Sequence, residues 1–283
     1  MADWTTGYVE GSDGLRFHYA RTGGGGPPVV LAHGFSDDGS CWTPVARALA
    51  PEYDVVMVDA RGHGLSDAPE AGYGVDELAA DLRGVIGALG LRRPAILGHS
   101  MGGATTLVLA GTYPDIPGAI LIEDAGARNL SAGARPDTEA DRKRRERMRA
   151  WVTGLKGKSR EELIAGQRAQ TPHWSDDELG PWADSKMRLS PNVLGRQDAP
   201  PVDWPALLPA IACPALLVTA DPARGAMVTP DGARDLKALV PQLAVAHVAD
   251  AGHSIRRDRF ERYMEVVRDF LSREYRSAGI VAA

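Results

Sequence analysis

Residues 94–104 carry the clearest structural signal in the chain, reading Pro-Ala-Ile-Leu-Gly-His-Ser-Met-Gly-Gly-Ala. An apolar run is followed by a Gly-x-Ser-x-Gly pattern and then by small residues as far as Ala110. This order predicts a buried strand, a sharp turn and a helix, with Ser100 at the tip of the turn. Gly98 and Gly102 let the two backbones approach where a Cβ would clash, so Ser100 is strained and its hydroxyl is exposed. The alternative interpretation is a glycine-rich turn whose serine only caps the helix.

The composition of the 283-residue chain, with 44% apolar and 24% charged residues, is that of an ordinary globular protein. The net charge of −5 gives no electrostatic reason to expect binding to nucleic acid or to an anionic membrane. The sequence shows no secretory signal and no apolar stretch of bilayer length, so we expect a cytoplasmic protein. Cys41 and Cys213 lack metal-ligand spacing, which predicts two buried, reduced thiols and no metal site.

Strands and helices alternate through most of the chain. A hairpin is predicted over residues 4–21, and buried strands over 28–32, 54–58 and 119–122, besides the strand before Ser100. Two further strands are predicted over residues 214–219 and 244–248. Helices are predicted over residues 40–50, 75–89, 229–240 and 260–270. Such alternation predicts an α/β fold with a mostly parallel sheet and helices on both faces.

Residues 128–205 interrupt this alternation, because they contain helical patterns and no convincing strand. We interpret them as a helical cap inserted into a core domain that comprises residues 1–127 and 206–283. The cap is expected to supply an apolar, aromatic substrate pocket, although any one of its large side chains could instead belong to the cap's own core. The candidates for this pocket are Trp151, Trp174, Trp182, Met187 and Trp204.

A serine hydroxyl needs a neighbouring base, itself oriented by a third group, to act as a nucleophile at neutral pH. Open α/β sheets bind their ligands at the carboxyl ends of the strands, so the base is expected there. His253 follows the last predicted strand and is the candidate base, whereas His247 lies within that strand and is interpreted as structural. Two aspartates remain open as the orienting acid: Asp124 follows the strand after the Ser100 helix, and Asp221 follows the next core strand.

Acyl transfer also requires donors for the oxyanion of the tetrahedral intermediate. The backbone N–H of Met101 follows the serine and lies at the positive end of a helix. The second donor is expected from the loop after the first core strand, where the N–H of Phe35 is suitably placed.

Taken together, these motifs resemble the α/β-hydrolase superfamily over essentially the whole chain apart from the cap. The resemblance is carried by His33-Gly34-Phe35, Asp59-Ala60-Arg61-Gly62-His63-Gly64-Leu65-Ser66, Gly98-His99-Ser100-Met101-Gly102-Gly103 and Gly252-His253. It implies an eight-stranded sheet, a lid over the site and no cofactor. It also implies Ser100 as the nucleophile, His253 as the base, and Phe35 and Met101 as oxyanion donors.

Members of the superfamily differ in where they keep the acid. Most place it after the strand equivalent to residues 216–219, which would select Asp221. Some relatives, including lactonases of the zearalenone-degrading type, take it from the strand equivalent to residues 119–122, which would select Asp124. The epoxide hydrolases and haloalkane dehalogenases carry an aspartate where this chain has Ser100. Proline iminopeptidases carry His-Gly-Gly-Pro-Gly where this chain has His-Gly-Phe-Ser-Asp at residues 33–37.

The sequence therefore predicts a serine hydrolase that cleaves a small, apolar or aromatic carboxylic ester or lactone. Hydrolysis of C–C bonds, hydrolysis of thioesters and cofactor-free perhydrolysis would use the same residues and remain alternatives. A non-catalytic ligand receptor on the same fold is the alternative from another class. The oligomeric state is expected to be monomer or homodimer.

Overall fold

The computed structural model describes residues 4–11, 13–126, 138–198 and 201–276. Eight strands form one sheet: β1 Thr5–Glu10, β2 Arg16–Arg21, β3 Pro28–Ala32, β4 Asp54–Val58, β5 Ala95–His99, β6 Ala119–Glu123, β7 Ala215–Thr219 and β8 Leu243–His247. Their order across the sheet is β1-β2-β4-β3-β5-β6-β7-β8. The hairpin strands β1 and β2 run antiparallel, and β3 to β8 pair in parallel. The predicted fold class is confirmed.

Ten α-helices connect or flank these strands. They are α1 Thr43–Leu49, α2 Val75–Ala88, α3 Met101–Thr112, α4 Glu139–Leu155, α5 Arg160–Gln170, α6 Asp176–Arg188, α7 Trp204–Leu207, α8 Pro230–Leu239, α9 Ile255–Asp258 and α10 Phe260–Phe270. Four 3₁₀ turns (Gly39–Trp42, Pro191–Asp198, Leu208–Ala210 and Pro222–Arg224) and a final π-helical turn (Leu271–Arg276) complete the described elements. The short helices α7 and α9 were not predicted, because a single helical turn leaves no periodic pattern in a sequence. No helix within the described ranges is long and apolar enough to cross a bilayer.

The inner strands β3 to β7 are buried on both faces, which explains why they are mostly apolar runs in the sequence, whereas the edge strand β8 is largely exposed. Alternate side chains of each strand enter different cores. Val30 and Ile96 pack in the core that includes α2, α3 and α8. Val29 and Leu97 pack in the opposite core, which includes α1 and α10.

The sheet order reverses between β3 and β5, because the chain passes from β3 outward to β4 and then back to β5 on the other side. In doubly wound sheets the crevice at such a reversal is where ligands bind. The loop that carries Phe35 leaves β3, and the turn that carries Ser100 leaves β5. The topology therefore places the two sequence motifs on either side of this crevice.

Residues 138–198 form what we call the helical insert, which comprises α4, α5, α6 and the 3₁₀ turn Pro191–Asp198. The insert has an apolar cluster of its own that includes Val152, Leu163 and Ala183, and Tyr73 and Phe35 of the rest of the chain pack against it. The expected start of the cap at residue 128 lies outside the described residues. Its expected end needs correction, because α7 packs on α3 and buries its first residue in the core beside the sheet.

Candidate active site

The turn after β5 holds Ser100 in a strained conformation. Its backbone dihedral angles are φ 51° and ψ −109°, a region that a residue with a Cβ seldom adopts. The Ser100 amide donates to the carbonyl of Glu123 at 3.1 Å, which ties the turn to the end of β6. A Cβ on Gly98 would overlap the Gly102 carbonyl, and one on Gly102 would overlap the Ala32 carbonyl. The close approach predicted from the two glycines is therefore what the structure shows.

The imidazole of His253 lies against the carboxylate of Asp124. The distance from Nδ1 to Oδ2 is 2.7 Å, and the Asp124 side chain is fully buried. The same carboxylate accepts hydrogen bonds from the backbone N–H groups of Met227 at 2.8 Å and Val228 at 3.0 Å. Because a carboxylate surrounded by donors can only accept, the proton of the neutral ring is on Nδ1. This tautomer leaves Nε2 unprotonated, which is the state that a general base needs.

Asp221 has a different environment. Its carboxylate bonds to Nε2 of His247 at 3.0 Å and accepts from the Asp250 amide at 2.8 Å. The Asp250 hydrogen bond, together with His247 and Arg224, lowers the pKa of Asp221 below its usual value. The two candidate acids are thus separated by the tertiary structure, since Asp124 contacts the His253 ring and Asp221 contacts His247.

His99, the residue before Ser100, contacts His253. Nε2 of His99 donates to the backbone carbonyl of His253 at 2.9 Å, and the two imidazole rings lie 4.7 Å apart between centroids. Burial, with Arg256 and His253 close by, holds the pKa of His99 well below its ordinary value, so its ring is neutral. Among the described residues Ser100 Oγ makes no direct hydrogen bond to the His253 ring. Such bonds are often long in unliganded sites and tighten when the substrate binds.

The two expected oxyanion donors are Met101, which follows Ser100 in the chain, and Phe35, whose neighbour Gly34 packs on the serine turn. Met101 is the first residue of α3, where a backbone N–H has no acceptor within the helix. Phe35 follows Gly34, where an added Cβ would lie 3.4 Å from Ser100 Cβ and 2.6 Å from His99 Nδ1. The loop after β3 therefore packs directly on the serine turn.

His33 is a site residue whose role the sequence reasoning did not identify, although it begins the His-Gly-Phe motif. Its buried ring donates from Nδ1 to the Gly34 carbonyl at 2.8 Å and accepts at Nε2 from the Ala60 amide at 3.0 Å. Both nitrogens are therefore used to hold backbone. This fixes the course of the chain between β3 and Phe35.

Comparison with known proteins identifies the family of the chain. The model of the alpha/beta hydrolase fold family matches residues 27–256. The chain belongs to this family. It is 30% identical over 277 residues to an N-formylmaleamate deformylase of Pseudomonas putida KT2440, covering 96% of this chain and 98% of that protein.

Solved structures give the same result for the fold. The structure of E-2-(acetamidomethylene)succinate hydrolase superposes with a TM-score of 0.78 at 21% identity, covering 95% of this chain and 99% of the other. An enol-lactonase from Burkholderia xenovorans LB400 gives 0.73 at 25% identity, covering 94% and 100%. The protein is thus a hydrolase of the alpha/beta hydrolase family.

The aromatic residues expected to line a pocket in this hydrolase occupy different environments. Trp151 and Met187 are exposed, at 41% and 49%, and the Trp151 ring lies 6.4 Å from that of Phe35. Trp182 is half-buried and packs against the apolar cluster of the insert. Among these candidates, Trp151 has a ring contact with Phe35, an expected oxyanion donor.

Two of the expected pocket residues are buried. Trp204 begins α7 and is buried in the core beside Leu208, because an apolar ring on this short helix packs under the sheet and not in the insert. Trp174 is also buried, and its Nε1 donates to Asp258 Oδ1 at 2.8 Å. Its indole therefore attaches the insert to α9.

A group of six buried ionic side chains, which we call the buried ion cluster, lies between the insert and the core. Its members are Asp37, Glu123, Glu178, Lys186, Arg256 and Arg257. Three are acids and three are bases, so the cluster as a whole is neutral. Sequence reasoning missed it, because these residues are distant in the chain and follow no spacing pattern.

Asp37 is the most connected member of this cluster. It bonds to Lys186 at 2.8 Å, Arg257 at 3.0 Å and Arg256 at 3.3 Å. Burial alone would raise the pKa of Asp37, but Arg257, Lys186 and Arg256 together hold it well below its usual value. Glu123 pairs with Arg256 at 3.1 Å, and Glu178 pairs with Arg257 at 3.0 Å.

Proposed function

We propose that this protein is a serine hydrolase that cleaves small carboxylic esters or lactones through an acyl-enzyme on Ser100. The observation that carries the proposal is the bond from the buried Asp124 carboxylate to Nδ1 of His253, which leaves Nε2 as the basic nitrogen. The strained turn at Ser100 supplies the nucleophile, and the preceding residue, His99, contacts His253.

In this mechanism Ser100 Oγ forms a bond to the substrate carbonyl carbon while its proton passes to Nε2 of His253. The carbonyl oxygen becomes an oxyanion, which the N–H groups of Met101 and Phe35 stabilise. The intermediate collapses when the bond to the leaving alcohol breaks and His253 returns its proton to that oxygen. A water molecule then attacks the acyl-enzyme with His253 as base, and the second collapse releases the acid and restores Ser100. Asp124 keeps His253 in the required tautomer and stabilises its charged form.

The helical insert is proposed to act as a cap over this site. The contact between Phe35 and Trp151 supports this role, because it joins the loop of an expected oxyanion donor to α4. Trp151 and Met187 then provide apolar surface for the acyl or alcohol part of the substrate.

Hydrolysis of a small amide is a second candidate. It is favoured by the deformylase from Pseudomonas putida, which is similar to this chain over nearly its whole length. The residues around Ser100 would perform the same steps, with the proton of His253 passing to a leaving nitrogen in place of oxygen.

The test is a hydrolysis panel of p-nitrophenyl esters, small and macrocyclic lactones, and N-formyl amides, without added cofactor and with Ser100→Ala as control. We expect turnover of an ester or lactone with a burst of p-nitrophenolate, and loss of at least 10³-fold in kcat in the Ser100→Ala variant. Turnover confined to amides would select the second candidate. A diketone should be inert, and cleavage of one would instead indicate a C–C hydrolase. Ligand binding without turnover, unaffected by Ser100→Ala, would point to a receptor and refute both enzymatic candidates.

A further inference from the structure

Lys186 of helix α6 is a buried lysine whose ammonium group is fully occupied by protein. Its Nζ donates to Asp37 Oδ1 at 2.8 Å, to the Ser36 carbonyl at 2.9 Å and to Ser185 Oγ at 3.2 Å. The ring of Trp182 lies 4.9 Å from the same nitrogen. Because burying an ammonium group is costly unless each of its three protons has an acceptor, this environment fixes the nitrogen in one place.

Two of these acceptors belong to the loop that carries Phe35. Ser36 has a φ of 67°, a left-handed conformation that residues other than glycine seldom adopt. The Asp37 amide donates to the Gly34 carbonyl at 3.1 Å, so residues 34–37 form a tight turn with Phe35 inside it. Lys186 holds both the carbonyl of the strained Ser36 and the side chain of Asp37, and it therefore fixes the far side of this turn.

We propose that Lys186 is a positioning residue through which the helical insert sets the geometry of the oxyanion hole at Phe35. This inference rests on the proposed function, because it assigns the Phe35 N–H to an oxyanion. The insert thereby controls the rate of acylation as well as the shape of the pocket.

The need to pair the Asp37 carboxylate with a positive charge does not by itself explain the position of Lys186. Arg256 and Arg257 already bond to Asp37 Oδ2 at 3.3 and 3.0 Å, and both extend from α9 in the core. The contact that Lys186 adds is the one to the Ser36 carbonyl and to the other carboxylate oxygen. A positioning role depends on these two hydrogen bonds, whereas simple charge balance does not.

Glu178 provides a matched control on the same helix. It is buried and charged, and it bonds to Arg257 Nε at 3.0 Å, so it too attaches α6 to the core. Its carboxylate bonds to Arg257 of α9, which lies outside the loop of residues 34–37. If Lys186 only docks the insert, replacing Glu178 should have the same kinetic effect as replacing Lys186.

The experiment is pre-steady-state release of p-nitrophenolate from a p-nitrophenyl ester, which separates the acylation rate constant from the substrate dissociation constant. We expect Lys186→Met to lower the acylation rate constant about 10–100-fold, since losing an oxyanion donor outright typically costs about 10²–10³. The dissociation constant should change less than about threefold. Glu178→Gln should leave both constants within about threefold of the native values.

A second probe reports on the oxyanion hole directly. Phenylboronic acid forms a tetrahedral adduct with the serine, and its inhibition constant should rise in Lys186→Met by about the same factor as acylation falls. Lys186→Gln keeps an N–H donor for the Ser36 carbonyl and should recover part of the lost rate. If Lys186→Met does not fold, Lys186→Gln is compared with the native protein, and a slower acylation at unchanged dissociation constant supports the proposal.

Three results would overturn it. Native acylation in both Lys186 variants would show that the loop does not depend on this residue. Equal losses in Lys186→Met and Glu178→Gln would show a docking role only, as would a change confined to the dissociation constant. Ser100→Ala is measured alongside: nitrophenolate release that does not depend on Ser100 would refute the proposed function itself, which is a different outcome from a failure of Lys186.

Discussion

Replacing Asp124 by Asn tests the assignment of the acid more sharply than any other change. The carboxylate accepts at Oδ2 from His253 Nδ1 and the Met227 amide, and at Oδ1 from the Val228 amide. An asparagine has one accepting oxygen and one donating NH₂ group, so it cannot satisfy all three donors. Every orientation of the new side chain therefore has a cost.

The two orientations have different consequences. With the NH₂ group toward His253, the ring must accept at Nδ1 and carry its proton on Nε2, so it can no longer receive the proton of Ser100. The Met227 amide, which also bonds to this position, then loses its acceptor. With the oxygen toward His253, the NH₂ group meets the Val228 amide, and an unpaired buried donor costs about 1–3 kcal/mol. The first orientation blocks the base, and neither supplies the negative charge that stabilises the protonated ring. We therefore expect kcat to fall about 10⁴-fold, or about 5.4 kcal/mol in the barrier, as when a triad carboxylate is made neutral.

The assay is steady-state hydrolysis of the best ester or lactone found in the panel, with thermal unfolding recorded for each variant. Asp221→Asn is the matched control, because it removes a charge that bonds to His247 and the Asp250 amide on the surface. We expect its kcat within about twofold of native, since surface changes away from a site are usually small in effect. A folded Asp124→Asn variant that keeps more than a tenth of native kcat, or an Asp221→Asn variant that loses 10³-fold, would refute the assignment.

Two further predictions concern the cysteines and the tryptophans. Burial raises the pKa of Cys41 to about 12 and that of Cys213 to about 11, so both remain thiols at pH 8. Ellman's reagent should therefore label neither cysteine in the native protein and both after unfolding. Rapid labelling of the native protein would contradict their burial. Trp204→Ala should lower stability by about 3–5 kcal/mol in urea titration with little change in KM of the remaining folded enzyme, because it empties a core site. Trp151→Ala should change KM and lower stability by about 0.5 kcal/mol or less, because this side chain is exposed. Equal effects of the two substitutions on KM would refute the distinction between pocket and core.

Much of the fold could be predicted because its signals are local. The inner strands β3 to β7 are mostly apolar because both of their faces are buried, whichever strands lie beside them. The turn at Ser100 was visible for the same reason, because its glycines meet backbone that is close in sequence or on the adjacent strand. The single-turn helices α7 and α9 were missed, because one turn leaves no periodic pattern. The end of the insert was misplaced, because the sequence does not show whether Trp204 packs in a cap or under a sheet.

The sequence by itself determined the fold class, the serine turn and the identity of the histidine and acid candidates, because these follow from residue types in short, ordered stretches. Only the tertiary structure distinguishes the environments of Asp124 and Asp221, since both follow buried strands and meet different imidazole rings. It alone brought Lys186 to Ser36 and Asp37, across about 150 residues of chain. Contacts of this kind depend on how strands and helices are arranged in space, and no pattern of neighbouring residues encodes that arrangement directly.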